Sequence, residues 1–120
     1  MAADAKTLFG KYALSKLNGK GAEKGEWDVP SLTLEADGDK VRVHAKVANT
    51  MNGTLRYENG RLTGMLMSTR MMGPPFHMDV ERALGAGFEQ GMRVSREGDT
   101  LTLSHDKDTL VFVVDSSAAA

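Results

Sequence analysis

The 120-residue sequence has no cysteine, only 3 prolines and a single tryptophan. Without cysteine it forms no disulfide and no thiolate metal site. No run of 18 apolar residues occurs, which argues against a transmembrane helix, and the first residues lack the apolar stretch of a signal peptide. We therefore expect a cytoplasmic protein with one domain over residues 1–120, a core from about 10 to 114 and a frayed tail over 115–120.

Positive and negative charges are nearly balanced in the sequence. The sequence has 15 basic and 16 acidic residues, which gives a net charge of -1. A nucleic-acid binder needs a positive field to displace counterions, so we expect no nucleic-acid partner. The 41% hydrophobic and 26% charged residues are typical of a globular protein, which we expect to be a monomer.

Apolar and polar residues alternate along much of the chain. Val41–Val47 places four apolar residues on one face and Arg, His and Lys on the other, the pattern of a half-buried strand. Asp37-Gly38, Asn59-Gly60 and Glu97–Asp99 separate such segments and favour tight hairpin turns. About seven or eight short strands at this spacing predict a mainly β fold, an antiparallel barrel or sandwich.

Two segments break the alternation. Met78–Glu89 has apolar residues at helical spacing and follows Pro74-Pro75, which predicts one helix over about 78–89. Gly85 and Gly87 weaken this helix by about 1 kcal/mol each relative to alanine, so packing must hold it in place. Residues 3–9 favour a short N-terminal helical turn.

Several short motifs follow one another in a fixed order. Their residue types belong to strands, turns and one helix, and each motif alone is weakly specific. In chain order they are Gly-Lys-Tyr-Ala-Leu-Ser-Lys-Leu-Asn-Gly at Gly10–Gly19, Pro-Ser-Leu-Thr-Leu at Pro30–Leu34, Asn49 with Gly53, Ser-Thr-Arg-Met at Ser68–Met71, Glu81, and Leu-Thr-Leu at Leu101–Leu103.

This ordered set resembles META domains, the family that includes the HslJ heat-shock proteins, and the match runs from Gly10 to Val114. The Asn49–Gly53 version is most similar to the short META proteins of kinetoplastid parasites, which are associated with virulence and stress. The resemblance implies a fold but no biochemical activity. Exported members commonly carry a cysteine pair at positions that hold Ala48 and Gly73 here, and joint loss of both is expected in a reducing cell.

Candidate catalytic residues are few. His44 lies on the polar face of its strand, His77 just before the helix and His105 at a strand end, and no two share a metal-ligand spacing. Asp37–Asp39 and Asp106–Asp108 lack the ligand ladder and bidentate Glu of a calcium loop. We predict no enzyme activity, metal or cofactor. The alternative is a small hydrolase or metal enzyme with a site around His44 or His77.

Methionine is the unusual feature. Of 8 methionines, seven lie within Met51–Met92. Met65 and Met67 share one face of their predicted strand and Leu62 and Leu66 the other, so the strand is apolar on both sides. In one interpretation the helix covers the methionine face, with methionine as an adaptable gap-filler. In the other, that face is an apolar cavity or groove for a lipid tail or a protein partner.

The loop after this strand adds to the second interpretation. Residues 71–76 are largely apolar, and such a run in water is unfavourable unless it packs or binds. Trp27 either packs on the barrel rim or anchors a partner. The candidate binding residues are Met65, Met67, Met71, Met72, Phe76 and Trp27. We interpret the chain as a binding module, with an oligomeric stress factor or a protease inhibitor as further alternatives.

Overall fold

Nine strands, one α-helix and one 3₁₀ helix form the parts of the chain that the computed structural model describes, residues 5–21 and 28–115. The 3₁₀ helix Ala5–Leu8 confirms the predicted N-terminal helical turn. The elements that follow are β1 Gly10–Leu17, β2 Ser31–Asp37, β3 Lys40–Lys46, β4 Thr50–Glu58, β5 Arg61–Thr63, β6 Met67–Ser68, α1 Pro75–Gln90, β7 Met92–Glu97, β8 Thr100–His105 and β9 Asp108–Val114.

The strands form a closed antiparallel barrel, which decides between the barrel and the sandwich. Eight of them lie in the order β3-β2-β1-β9-β8-β7-β5-β4, and the pairing of β3 with β4 closes the ring. Closure leaves none of the eight as a free edge. The two-residue β6 pairs only with β4, beyond the end of β5. Tyr12, Phe88 and Phe112 are among the large side chains that fill the core.

The predicted hairpin turns are confirmed. Gly38, Gly60 and Gly98 all have positive φ and join β2 to β3, β4 to β5 and β7 to β8. At the β4–β5 turn both central residues have positive φ, 53° for Asn59 and 75° for Gly60, as a two-residue turn matched to the strand twist requires.

Helix α1 begins three residues earlier than the predicted start at 78. Pro75 occupies its first turn, where a missing N–H costs nothing and a fixed φ is favourable. The helix ends at Gly91, whose φ is 108° and whose N–H donates to the Gly87 carbonyl at 2.8 Å. Val80, Leu84 and other residues of one face join the barrel core. Among the described residues no helix has the length and hydrophobicity that a membrane crossing needs.

The two helix glycines should respond in opposite directions to alanine. A Cβ at Gly85 meets no atom within 4 Å, so Gly85→Ala should stabilise the protein by about 0.5–1 kcal/mol through helix propensity. A Cβ at Gly87 would overlap the Met92 methyl and lie 2.7 Å from its sulfur, and Met92 is fully buried. Gly87→Ala should therefore destabilise the protein. Urea unfolding of both variants checks this, and equal stabilisation by both would contradict it.

The Leu-Asn-Gly turn after β1 is fastened to the β8–β9 turn. Asn18, with a φ of 51°, donates from Nδ2 to Oδ1 of Asp108 at 3.0 Å and accepts from the Thr109 N–H at 2.7 Å. The hydrogen bond from Asn18 is the largest of the effects that hold the pKa of Asp108 below its usual value. The motif therefore has a structural role, since it holds the end of β1 against the start of β9.

Tyr12 anchors the 3₁₀ helix to the barrel. Its hydroxyl donates to the Leu8 carbonyl at 2.6 Å and accepts from an Arg96 Nη at 3.1 Å. The Arg96 guanidinium carbon also lies 5.6 Å from the centre of the Tyr12 ring, in cation–π range. Burial raises the pKa of Tyr12 even though Arg96 acts in the opposite direction.

Candidate functional site

Four methionine side chains project from one short segment of the surface. Met65 is 74% exposed, Met67 80%, Met71 55% and Met72 86%. We call these four side chains the methionine surface. Phe76 is instead partly buried against the core. Trp27 lies outside the described residues, so its part in the predicted site stays a prediction.

Met65 and Met67 both point outward from the barrel. Strand register explains this for Met67, which pairs with Asn52, an exposed residue of β4. Paired residues of neighbouring strands point to the same face of the sheet. Residues 64–66 are not in strand conformation, and for Met65 the exposed fraction of 74% shows the outward direction.

Helix α1 does not cover this face. It lies against β5, β7 and β8, and the Gly64 N–H donates to the Phe88 carbonyl at 2.8 Å where the pairing of β5 with β7 stops. The first interpretation of the methionine face, a surface buried under the helix, is therefore wrong. Leu62 and Leu66 face the other way, with Leu62 fully buried and Leu66 partly buried against the core.

Glycine at position 53 allows residues 64–73, which we call the methionine segment, to lie close to β4. A Cβ on Gly53 would overlap the Met65 carbonyl oxygen and lie 2.8 Å from Cδ2 of Leu66. Leu66 therefore occupies space that a side chain on β4 would fill. An open groove of about 720 Å³ lies beside this contact. The groove is lined by Arg42, Asn52, Gly53, Thr54, Met65, Leu66 and Met67.

On the opposite side the groove is lined by Arg42, which belongs to a row of basic side chains on β3. Lys40, Arg42, His44 and Lys46 all point outward from β3 and are exposed. Arg42 forms an ion pair of 3.3 Å with Asp37. The groove thus has methionine side chains on one side and basic side chains on the other.

A buried asparagine holds the segment that carries Met71. Asn49 is 2% exposed and lies in the turn between β3 and β4. Its Nδ2 donates to the Met71 carbonyl at 2.9 Å, and its Oδ1 accepts from the Met71 N–H at 2.5 Å. Oδ1 also accepts from the Thr69 hydroxyl at 2.9 Å. The amide of Asn49 therefore pairs with the Met71 backbone as a neighbouring strand would.

Glu81 completes this cluster from helix α1. One carboxylate oxygen accepts from the Asn49 N–H at 2.7 Å, and both accept from Asn49 Nδ2, at 2.9 and 3.1 Å. Glu81 is only 9% exposed, and such burial of a carboxylate requires partners of this kind. We call Asn49, Thr69, Met71 and Glu81 the Asn49 clamp. It joins the β3–β4 turn, the methionine segment and the helix at one point.

The histidines do not assemble into a catalytic group. His44 is exposed on β3, and its Nδ1 lies 2.6 Å from Oδ1 of Asn52. His77 is buried in the first turns of α1, with Nε2 2.8 Å from the Asp28 carbonyl oxygen. Across residues 5–21 and 28–115, no group of three or more His, Asp and Glu is placed to hold a metal ion.

Exposure predicts the order in which the methionines oxidise. Dilute hydrogen peroxide should convert the methionine surface to sulfoxide before the buried Met51 and Met92, because thioether oxidation follows access. Peptide mass spectrometry over time measures the order, and the same reaction in urea is the control, where all should oxidise alike. Equal rates in the folded protein would contradict this exposure.

Comparison with known proteins places the chain in a family. A family model of the META domain matches residues 6–117. No curated protein matches the chain significantly. A solved structure described as "NMR structure of the protein" has a TM-score of 0.78 and 24% sequence identity, and the alignment covers 95% of this chain and 96% of that one. This likeness shows the fold. The family match spans nearly the whole chain, and the protein belongs to the META domain family.

Proposed function

We propose that this protein is a non-catalytic binding module that recognises an apolar element of its partner through the methionine surface. The observation that carries the proposal is the exposure of four methionines, all above one half, within eight residues of chain. Fully burying one methionine side chain contributes about 1.5–3 kcal/mol. A partner that covered all four would gain several kcal/mol, so this surface is the best source of binding energy among the described residues.

Two properties suit the surface to recognition. Methionine side chains are unbranched and polarisable, so they adapt to the shape of different apolar partners. The Asn49 clamp fixes the backbone beneath Met71 by two hydrogen bonds, so a partner does not have to order that part of the segment. A flexible set of side chains on a fixed backbone combines adaptability with a low entropic cost of binding.

The partner is better described as a protein segment than as an enclosed lipid tail. Large side chains such as Tyr12, Phe88 and Phe112 fill the interior of the barrel, and the methionines line a groove open to solvent. An acyl chain in such a groove would keep much of its surface in water, which removes most of the gain from binding. We also propose that the protein is a cytoplasmic monomer associated with stress or virulence, as its family resemblance suggests.

Peptide display tests this proposal. The protein is used to select from a random peptide library alongside a variant with Met65→Gln, Met67→Gln, Met71→Gln and Met72→Gln. These side chains are exposed, so the variant should fold normally. A Val113→Gln variant alters an exposed apolar residue on β9 and serves as the control.

We expect peptides that bind the wild type and the control but not the methionine variant. Peptides that bind all three proteins equally would show that the methionine surface is not the recognition site. Selection of no peptide, together with no shift of any ¹³C-labelled methionine methyl resonance by palmitate, would overturn the proposal in both its protein and its lipid form.

A further inference from the structure

The groove beside Met65 and Met67 has two chemically different walls. Across β3 and β4, Arg42 is level with Thr54 and His44 with Asn52. Across β4 and β6, Asn52 is level with Met67, and Met65 lines the groove together with Thr54. The groove therefore runs from basic side chains of β3, over short polar side chains of β4, to the two methionines.

The dimensions suit one extended polypeptide chain. The two walls are separated by two strand spacings, roughly 10 Å. The floor between them carries only Thr54, Gly53 and Asn52, which are too short to block a ligand. An extended chain lying along β4 would direct alternate side chains to opposite walls, because its side-chain period is two.

The basic wall is free to receive carboxylates. Lys46 and Arg42 are exposed, and Arg42 pairs with Asp37, a residue that is also well exposed to solvent. Exposed pairs of this kind contribute little and exchange readily. A guanidinium has five N–H donors, so Arg42 can bind a second carboxylate while it keeps the first. The hydrogen bond to Asn52 orients the His44 ring along the same wall.

On this basis, and resting on the proposed function, we propose that the groove binds an extended segment of a partner protein in which acidic and apolar residues alternate. The apolar side chains lie against Met65 and Met67. The carboxylates lie against Arg42, His44 and Lys46.

The charges around the groove favour an acidic peptide over an anionic membrane or a second copy of this chain. Glu35 is level with Arg42 on β2, and Asp37 is level with Lys40. A flat anionic membrane would meet these carboxylates together with the basic row and gain little from it. A peptide confined to the groove lies on the far side of the basic row from both. A second copy of this chain would bring one basic row against another and be repelled.

The test uses three synthetic peptides and the ¹³C-methyl resonances of methionine. The first peptide is acetyl-Glu-Leu-Glu-Leu-Glu-Leu-amide, the second replaces Glu by Lys, and the third has the block order Glu-Glu-Glu-Leu-Leu-Leu. We expect the alternating acidic peptide to shift the resonances of Met65 and Met67. Its affinity should exceed that of the other two by about tenfold or more, and should fall as salt rises from about 0.05 to 0.5 M.

Charge reversal supplies the matched control. Arg42→Glu with Lys46→Glu should invert the preference, so that the Lys peptide binds better than the Glu peptide. Lys11→Glu with Lys16→Glu makes the same change of net charge on exposed positions of β1 and should leave the preference unchanged. Met65→Gln with Met67→Gln should weaken both peptides.

Each of the other possible results would reject a specific part of the proposal. Equal binding of the acidic and basic peptides, lost in the methionine variant, would reject the acidic partner and leave the binding module standing. Methionine shifts with vesicles of phosphatidylcholine and phosphatidylserine, but with none of the peptides, would assign the surface to a membrane instead. No shift with any probe would reject this inference, while the peptide display experiment decides the proposed function separately.

Discussion

Replacing Asn49 by alanine is expected to lower the free energy of unfolding by about 2–4 kcal/mol. The substitution removes both side-chain partners of the Met71 backbone and the acceptor of the Thr69 hydroxyl. It also leaves Glu81, which is buried, with the Asn49 N–H but without the amide Nδ2. A buried carboxylate that loses part of its hydrogen bonding is among the costly changes in a protein interior.

Position 49 requires a side-chain amide, because only an amide supplies both hydrogen-bonding groups. Oδ1 accepts from Met71 and Nδ2 donates to it, so the side chain needs one acceptor and one donor. Asn49→Asp keeps the acceptor, loses the donor and places a second carboxylate beside Glu81. We expect it to be at least as destabilising as Asn49→Ala, because like charges in a buried site repel.

Urea unfolding gives the free energies, and amide hydrogen exchange locates the change. The exchange of residues 69–72 should accelerate in Asn49→Ala more than that of the distant strands β8 and β9. Asn52→Ala is the matched control, since Asn52 is exposed on β4 and its side chain pairs with His44, outside the Asn49 clamp. A loss of stability no larger than that of Asn52→Ala would show that the clamp contributes little.

The sequence predicted the strands and turns well, because a strand or a turn depends mainly on residues that are neighbours in the chain. Val41–Val47 alternates strictly, and β3 has the matching alternation of buried and exposed side chains. The dipeptide Asn59-Gly60 supplies the positive φ angles of its turn by itself. The choice between barrel and sandwich depends instead on the pairings of β1 with β9 and β5 with β7. These join distant parts of the chain, and no local pattern encodes them.

The exposure of Met65 and Met67 also could not be predicted from the local sequence. An apolar strand face looks alike in sequence whether a helix covers it or not. The deciding fact is the position of α1 against β5, β7 and β8, which is tertiary.

The Asn49 clamp was missed although a signal existed. Glu81 lies at helical spacing from Leu84 and Phe88, on the apolar face of α1, and an acid there requires a buried partner. Asn49 directly follows the apolar pair Val47-Ala48. Asn49 and Glu81 both belong to the motifs that resemble META domains, but nothing local in the sequence pairs the two, which lie 32 residues apart.

Adding one methyl group at Gly73 is expected to destabilise the protein by about 2 kcal/mol. A Cβ at this position would overlap the Cβ of Ala48, which is buried in the β3–β4 turn. Both atoms are attached to the backbone, so neither can rotate away and the two chain segments must separate. These are the positions that the family resemblance associates with a cysteine pair, and here the two residues are direct neighbours in space.

A compensating substitution makes the prediction specific. Ala48→Gly alone should cost about 0.5–1 kcal/mol, from greater backbone freedom and a lost methyl contact. In the double variant Ala48→Gly with Gly73→Ala the methyl group is moved across the contact, so the stability should return to within about 1 kcal/mol of the wild type. Urea unfolding of the four proteins gives the coupling energy. A double variant as unstable as the sum of the two single changes would show that the two segments do not meet at these positions, whereas recovery ties the methionine segment to the β3–β4 turn through a contact independent of Asn49.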